Sequence, residues 1–290
     1  MKNRARKVVT FVGALVLVLL LWEGYKLVGP ARGGRMFGSR ILPRSDDNSM
    51  PHVWDMLSRF GRPEVRGSNP RTVGAAVTAG AWYTGRLAFA GFVLGCLVGL
   101  ALAIAMARFR IARTALLPYI VLSQTVPLIA LSPLIVGWGG RLELFGHQWQ
   151  PWMSVSWIAS YLAFFPVSIG ALRGLQSPDA ASVELMDSYA ASWRQTLVKL
   201  RFPAAVPFLV PALRLAAAGS VVGAVVAEIS TGLRGGVGRL VLEYSREATG
   251  DPAKVFTAVI AVAVLGLVMS GIVVSLDVFL MRHRPKQEAA

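Results

Sequence analysis

The sequence predicts an all-α fold, a polytopic helical membrane protein with about six transmembrane helices. The length of its apolar stretches and their spacing along the chain carry that expectation. Of the 290 residues, 54% are hydrophobic, and the mean hydropathy is +0.56. That fraction is only suggestive, because soluble domains come close to half apolar once glycine is counted. The distribution decides. Val8 to Val28 is almost unbroken apolar sequence, interrupted by Glu23 and Lys26 near its end. A helix needs about 20 such residues to cross a hydrocarbon core of roughly 30 Å. Similar stretches recur at about 78–107, 115–138, 151–172, 204–228 and 255–280. Only helices and closed barrels satisfy every backbone polar group in lipid, and these runs are too long and too apolar for barrel strands.

Taken in order, the first run reads as an uncleaved anchor helix occupying residues 1–30. Its basic start (Lys2, Arg4, Arg6, Lys7) also fits a signal peptide. The run exceeds the roughly 7–15 apolar residues of such a peptide, however, and no A-x-A site follows it. Residues 31–74 read as an extracytoplasmic loop, linker-like at about 30–50, in which Pro51–Phe60 (PHVWDMLSRF) forms a short interfacial helix. Residues 75–280 form the core domain with a polar loop at 173–203, and 281–290 a cytoplasmic tail. Six spans place both termini on one side. Fourteen Lys and Arg fall on each side of that arrangement, so the positive-inside rule does not settle the orientation. The polar loop favours cytoplasmic termini. No repeat of short fixed period is visible.

The net charge of +15 raises the question of nucleic acid. Basic residues bordering spans, with few acids to offset them, account for it. No zinc-finger spacing and no basic-aromatic platform accompanies the charge, so nucleic acid is not an expected partner. Cys96, the one cysteine, cannot form an internal disulfide and reads as a small packing residue.

The polar loop carries the clearest local signals. Ser177-Pro178-Asp179 reads as a helix start, with Ser177 as N-cap, Pro178 at the first helical position and Asp179 in the first turn. That helix runs to about Tyr189. Ser192-Trp193-Arg194-Gln195 has the form of a capping box, so a second helix begins at once. Ala190 and Ala191 are then the hinge. Pro203 either sits in the first turn of the next span or marks a break before it. Glu184 and Asp187 share a helix face three residues apart, with Leu185 and Met186 beside them. An apolar tip with an acidic edge suits insertion into a partner's groove.

The run SVELMDSYAASWRQTLVKLRFP resembles the EAA loop of ATP-binding-cassette importer permeases. That pattern is Glu-Ala-Ala, three residues, Gly, nine residues, Ile, one residue, Leu-Pro. Here the corresponding positions hold Glu184, Leu185, Met186, Ala190, Leu200, Phe202 and Pro203, with the spacing kept throughout. Leu185, Met186 and Ala190 depart from the pattern. The family's glycine permits a left-handed hinge, in which alanine costs roughly 1–2 kcal/mol. The hinge is therefore either not left-handed or strained.

A second resemblance covers about residues 75–280 and points to permeases of the nitrate, sulfonate and taurine importer group and to related importers of pyrimidine precursors. Its pieces are Gly91-Phe92, Gly95, Gly99, Pro118, Pro127 through Leu134 ending at Trp138-Gly139, and VVAEISTGLRGGVGRL from Val225 to Leu240. The resemblance implies the transmembrane domain of a type I importer. It implies a cytoplasmic ATPase dimer as partner, a second permease copy forming a homodimer, an extracytoplasmic solute-binding protein, and membrane lipid around the permease itself. It assigns ATPase coupling to Glu184, Leu185, Met186, Asp187, Ala190, Ala191, Leu200 and Pro203. No cofactor is expected on this chain, and ATP belongs to the partner.

Three features keep two readings each. Gly91, Gly95 and Gly99 share a helix face at four-residue spacing, for packing within one subunit or for a dimer seam. Ser123, Gln124, Thr125 and Pro127 interrupt a span, either lining the translocation path or serving as polar glue between helices. Glu228, at the end of the fifth span before a Gly-rich turn, either snorkels to the interface or belongs to the path as part of an outer gate.

Several chemistries are missing from the sequence. It shows no Walker motif and no Gly-x-Ser-x-Gly elbow, and its three histidines lack metal-ligand spacing. Enzyme activity of the chain itself is not expected. A secondary transporter or channel without an ATPase, or a membrane scaffold, are the competing readings. Inverted repeats or mid-membrane charges would favour the secondary transporter, and neither is clear.

Overall fold

The computed structural model describes residues 2–36, 39–65, 71–144 and 146–281. Five of its helices are long and apolar enough to cross a membrane, Val9–Val28, Val73–Arg108, Pro151–Leu175, Trp193–Thr231 and Pro252–Ser275. The run expected at 115–138 is not one straight span. Helices α4 (Arg110–Ser123) and α5 (Leu128–Gly139) meet at a bend of 104°, and only together do they make a sixth. The physical cause is Pro127, which lacks an N–H and holds an extended conformation as the N-cap of α5. Pro118 and Pro133 lie inside their helices without ending them. The expected tail at 281–290 falls outside the described residues except for Met281.

The chain divides into two compact units. One comprises residues 1–78 and 240–260. In it α1 (Lys2–Val28) is exposed from residue 9 to residue 21, and its end is tied to the following loop. Lys26 Nζ reaches Asp47 Oδ1 and the Met50 carbonyl, each at 2.5 Å. Glu23 accepts from the Val53 N–H at 2.7 Å and meets His52 Nδ1 at 2.8 Å. Within the expected linker, strands β1 (Gly34–Met36) and β2 (Ser39–Leu42) pair antiparallel, which composition alone did not indicate. The expected short helix is present as α2 (Val53–Arg59).

A polar cluster completes this unit. Tyr244 donates to Glu64 Oε1 at 2.7 Å, and Arg71 Nε donates to Glu64 Oε2. Arg59 Nε meets Asp251 Oδ2 at 2.6 Å, and Lys254 lies over the Tyr244 ring at 4.5 Å while reaching Glu247 at 2.5 Å. Burial opposes ionisation of Glu64, but the donors Arg71 and Tyr244 outweigh it and hold the carboxyl below its usual value. Burial first, and the Glu64 carboxylate second, push the Tyr244 hydroxyl well above its ordinary value.

The other unit comprises residues 79–239 and 261–290. Its centre is α6 (Pro151–Leu175), packed against α9 (Phe202–Thr231) along much of its length. Helix α3 (Val73–Arg108) brings its glycine face to α6. A Cβ on Gly91 would stand 2.5 Å from Ala159 Cβ, one on Gly95 2.6 Å from Ala163 Cβ, and one on Gly99 2.7 Å from the Phe164 carbonyl. The glycine face is thus filled within the chain, and the dimer-seam reading falls. Side-chain clusters surround these contacts, one around Val155, Ile158 and Val221, another around Met106, Leu172 and Leu175, and a third of Ala163, Val167 and Ala216.

Two expected outcomes follow from these contacts. Gly95→Leu forces α3 off α6, and overpacking of this kind costs typically ~1–3 kcal/mol; thermal unfolding of the detergent-purified protein should show a lower Tm, with Gly137→Leu, where nothing stands within 4 Å, as the tolerated comparison. Glu64 contributes stability because its pKa is depressed on folding, so that contribution is complete above the unfolded value near 4.5 and disappears as pH falls through the folded one. Limited proteolysis of residues 39–65 should therefore accelerate on acidification below pH of about 4, and this acid step should shrink in Glu64→Gln.

Candidate functional site

The polar loop joins the ends of α6 and α9. Helix α7 (Ala180–Ser188) opens it, starting two residues later and ending one residue earlier than expected, with a different cap. Asp179, not Ser177, is the N-cap, accepting from the Ser182 N–H at 2.6 Å. Ser177 is engaged elsewhere, donating to the Gly174 carbonyl at 2.8 Å and lying 3.3 Å from that of Ala204. Ser182, through its side chain and then its N–H, holds the Asp179 carboxyl below its usual value. Nothing on α7 is buried. Glu184, Leu185 and Asp187 are exposed, Leu185 at 57%, and Met186 is half-buried.

The hinge is left-handed. Ala190 has φ 52°, the one positive φ outside glycine among the described residues. Its N–H bonds to the Asp187 carbonyl at 2.9 Å, and the Ala191 N–H to that of Met186 at 3.0 Å. These are the two bonds of a Schellman motif, with alanine where glycine is usual. Ala190 therefore carries a strain of roughly 1–2 kcal/mol. The capping box follows as expected. Ser192 caps α8 (Trp193–Thr196), and Gln195 Oε1 accepts from the Ser192 N–H at 2.7 Å.

Beyond α8 the helix continues through a π-helical stretch, Leu197–Arg201, directly into α9. Pro203 stands in the first turn of α9 and does not break it. A proline ring crowds the carbonyl four residues earlier, here Lys199, and the wider π turn accommodates it. Leu200 lies within that stretch and is half-buried. Arg201 Nη1 donates to the Leu175 carbonyl at 2.9 Å, and Arg108 of α3 covers the Trp193 ring at 5.2 Å. Both ends of the loop are thus pinned to the spans, while α7 stands free on the surface of the chain. Sequence reading missed Arg201, Trp193 and the π stretch. The spacing of Pro203 behind a basic pair was the available signal.

The break between α4 and α5 holds the other polar residues. The Ser123 hydroxyl returns to the Ile120 carbonyl at 2.7 Å and that of Thr125 to the Leu122 carbonyl at 2.8 Å. Tyr161 of α6 donates to the Ser123 carbonyl, fixing the bend. Gln124 and Pro127 are exposed on the chain. Glu228 is elsewhere and is not at an interface. It is fully buried, bonded to Thr84 at 2.8 Å and to the Gly238 N–H at 2.8 Å, so the snorkelling reading does not hold.

Comparison with known proteins also finds a component of a membrane transport system. Residues 91–280 match the model of the family described as "Binding-protein-dependent transport system inner membrane component". The chain belongs to this family. Members and relatives of this inner membrane component family are similar over much of its length. A probable ABC transporter permease of Haemophilus influenzae is 35% identical over 48% of this chain, and the match spans about half, 53%, of that relative. The formylaminopyrimidine transport permease of Halalkalibacterium halodurans is 29% identical over 68% of this chain and 74% of its own length. A putative aliphatic sulfonates transport permease of Bacillus subtilis is 30% identical over 68% of this chain and 67% of its own. Among solved structures, an amino acid ABC transporter crystallised with histidines shares the fold, with a TM-score of 0.53, 19% identity, and 73% of this chain and 95% of that one covered. The expected multi-pass helical fold and the resemblance to importer permeases are borne out.

Relief of the Ala190 strain gives an expected outcome. Ala190→Gly removes roughly 1–2 kcal/mol of strain and loses about 0.4–1 kcal/mol through the freer unfolded chain. The variant should melt at the same or a slightly higher temperature, and Ala190→Val lower, with protease cleavage after Arg194 reporting the loop directly.

Proposed function

We propose that this chain is the permease subunit of an ATP-driven importer, with both termini cytoplasmic. Two copies enclose the path, and each docks one subunit of a cytoplasmic ATPase dimer through α7. An extracytoplasmic binding protein delivers a small solute of the sulfonate, nitrate, taurine or pyrimidine-precursor type. ATP is bound and hydrolysed by the partner, and this chain holds no cofactor. In this reading residues 1–30 anchor the subunit, 31–74 face outward and 75–280 form the permease core.

The observation that carries the reading is the exposed α7, capped at Asp179 and closed by a left-handed turn at Ala190, between two membrane-crossing helices. A free helix of nine residues with an exposed Leu185 and two carboxylates gives a groove on a partner apolar and polar anchors together. Its pinned base explains how force on α7 reaches α6 and α9. Arg201 and Ser177 tie the two spans together where the loop leaves them, so the spans move as a pair. The bend at 123–127, with Gln124 exposed, supplies polar surface along the path, where broken helices are tolerated.

The test is association with a cytoplasmic ATPase partner. Glu184→Lys should leave membrane insertion intact, because the residue is exposed. It should weaken co-purification of the ATPase at least about tenfold, since loss of a docked charge typically costs ~2–5 kcal/mol. Unchanged co-purification would remove α7 as the docking element.

A further inference from the structure

Glu228 is the most thoroughly enclosed charged residue described, at 0% exposure, and transport as outlined above gives it no task. Thr84 and Val237, its companions, are likewise at 0%. Thr84 Oγ1 of α3 lies 2.8 Å and 2.9 Å from the two carboxylate oxygens and accepts from the Val237 N–H at 2.9 Å. The Gly238 N–H donates to Glu228 Oε2 at 2.8 Å. Val237 and Gly238 are the first two residues of α10 (Val237–Arg246), and their N–H groups are orphan donors at a helix start. The preceding residues, Gly235 and Gly236, have no side chain with which to cap it. The start of α10 is therefore capped from two other helices.

The fit is close. A Cβ on Gly236 would stand 2.2 Å from the Glu228 carboxylate, and one on Gly238 2.8 Å from Glu228 Cβ. An apolar side chain in the place of Glu228 would fill the volume more cheaply, since burying a carboxylate among neutral donors carries a large desolvation penalty. What the carboxylate adds is a contact that is either fully made or fully broken. Its position on α9 gives that contact a use. Helix α9 leaves the docking loop at Phe202 and reaches Glu228 after 26 residues, roughly 39 Å at 1.5 Å per residue.

We propose that Glu228 is a positioning residue of transport, a latch through which displacement of α9 at its docking end is carried into α10 at the other. The latch rests on the importer reading. Gly236, Gly238 and Thr84 belong to it, the glycines by leaving room and the threonine by relaying one hydrogen bond.

The test uses the full transporter with its ATPase and binding protein, in a Cys96→Ala background with spin labels at Ser245→Cys of both copies. Label-to-label distance is measured with and without ATP, alongside solute uptake, ATP hydrolysis and subunit co-purification. Glu228→Gln and Thr84→Val should keep the complex and its ATP hydrolysis. They should lose the ATP-dependent distance change, with uptake down about tenfold, within the range usual for coupling between sites. Thr84→Ser, which keeps the hydroxyl, should behave as the parent. Retained distance change and uptake in Glu228→Gln and Thr84→Val would overturn the latch. So would loss of the complex in those variants, because Glu228 would then be purely structural. A parent chain that assembles with no ATPase would instead sink the importer reading, and the latch with it.

Discussion

Close approach of α6 to its neighbours is the constraint on which the second unit depends. Lipid tails are as apolar as leucine, so spans gain nothing by hiding hydrophobic surface from one another. They associate through packing, and packing improves as backbones draw near. Here Gly91, Gly95 and Gly99 seat α3 against α6, and Gly170, Gly174 and Gly223 do the same between α6 and α9. The ends of α6 and α9 are then fixed in space. The polar loop inherits its geometry from those ends, as does the buried carboxylate at the far end of α9.

The polar loop spends stability on shape. No residue of its first helix is fully buried, and its turn puts an alanine in a conformation suited to glycine. Such expense is tolerable because the second helix is well anchored. Trp193 and Leu197 join the cluster of Met106, Leu172 and Leu175, and Arg201 closes onto Leu175. The loop thus combines a rigid base with an exposed tip. The left-handed turn at Ala190, despite its strain, and the capping box at Ser192 keep α7 from merging with α8 into one straight helix, which would swing the exposed residues away.

Much of this was legible beforehand, for identifiable reasons. The Ser192–Gln195 capping box is a local reciprocal hydrogen-bond pair, fixed by residue types three apart, and it formed as read. The N-cap at Asp179 was misplaced because Ser177 and Asp179 are both good caps, and only the carbonyls of Gly174 and Ala204 decide which is free to serve. The straight span at 115–138 failed because hydropathy counts apolar residues and is blind to the direction of the axis. Two strands in a Gly- and Arg-rich stretch left no periodic trace in so few residues.

By itself, then, the sequence determined that the chain crosses a membrane as helices, where the polar loop lies, and which family it resembles. These depend on run length and on neighbours in the chain, and such signals survive without coordinates. Tertiary structure alone decided that the glycine face is internal, that Ala190 is left-handed, that the third apolar run bends at Pro127, and that Glu228 is sealed against Thr84 and Gly238. Each of those depends on which atoms from distant parts of the chain occupy the same space, and residue order does not state that.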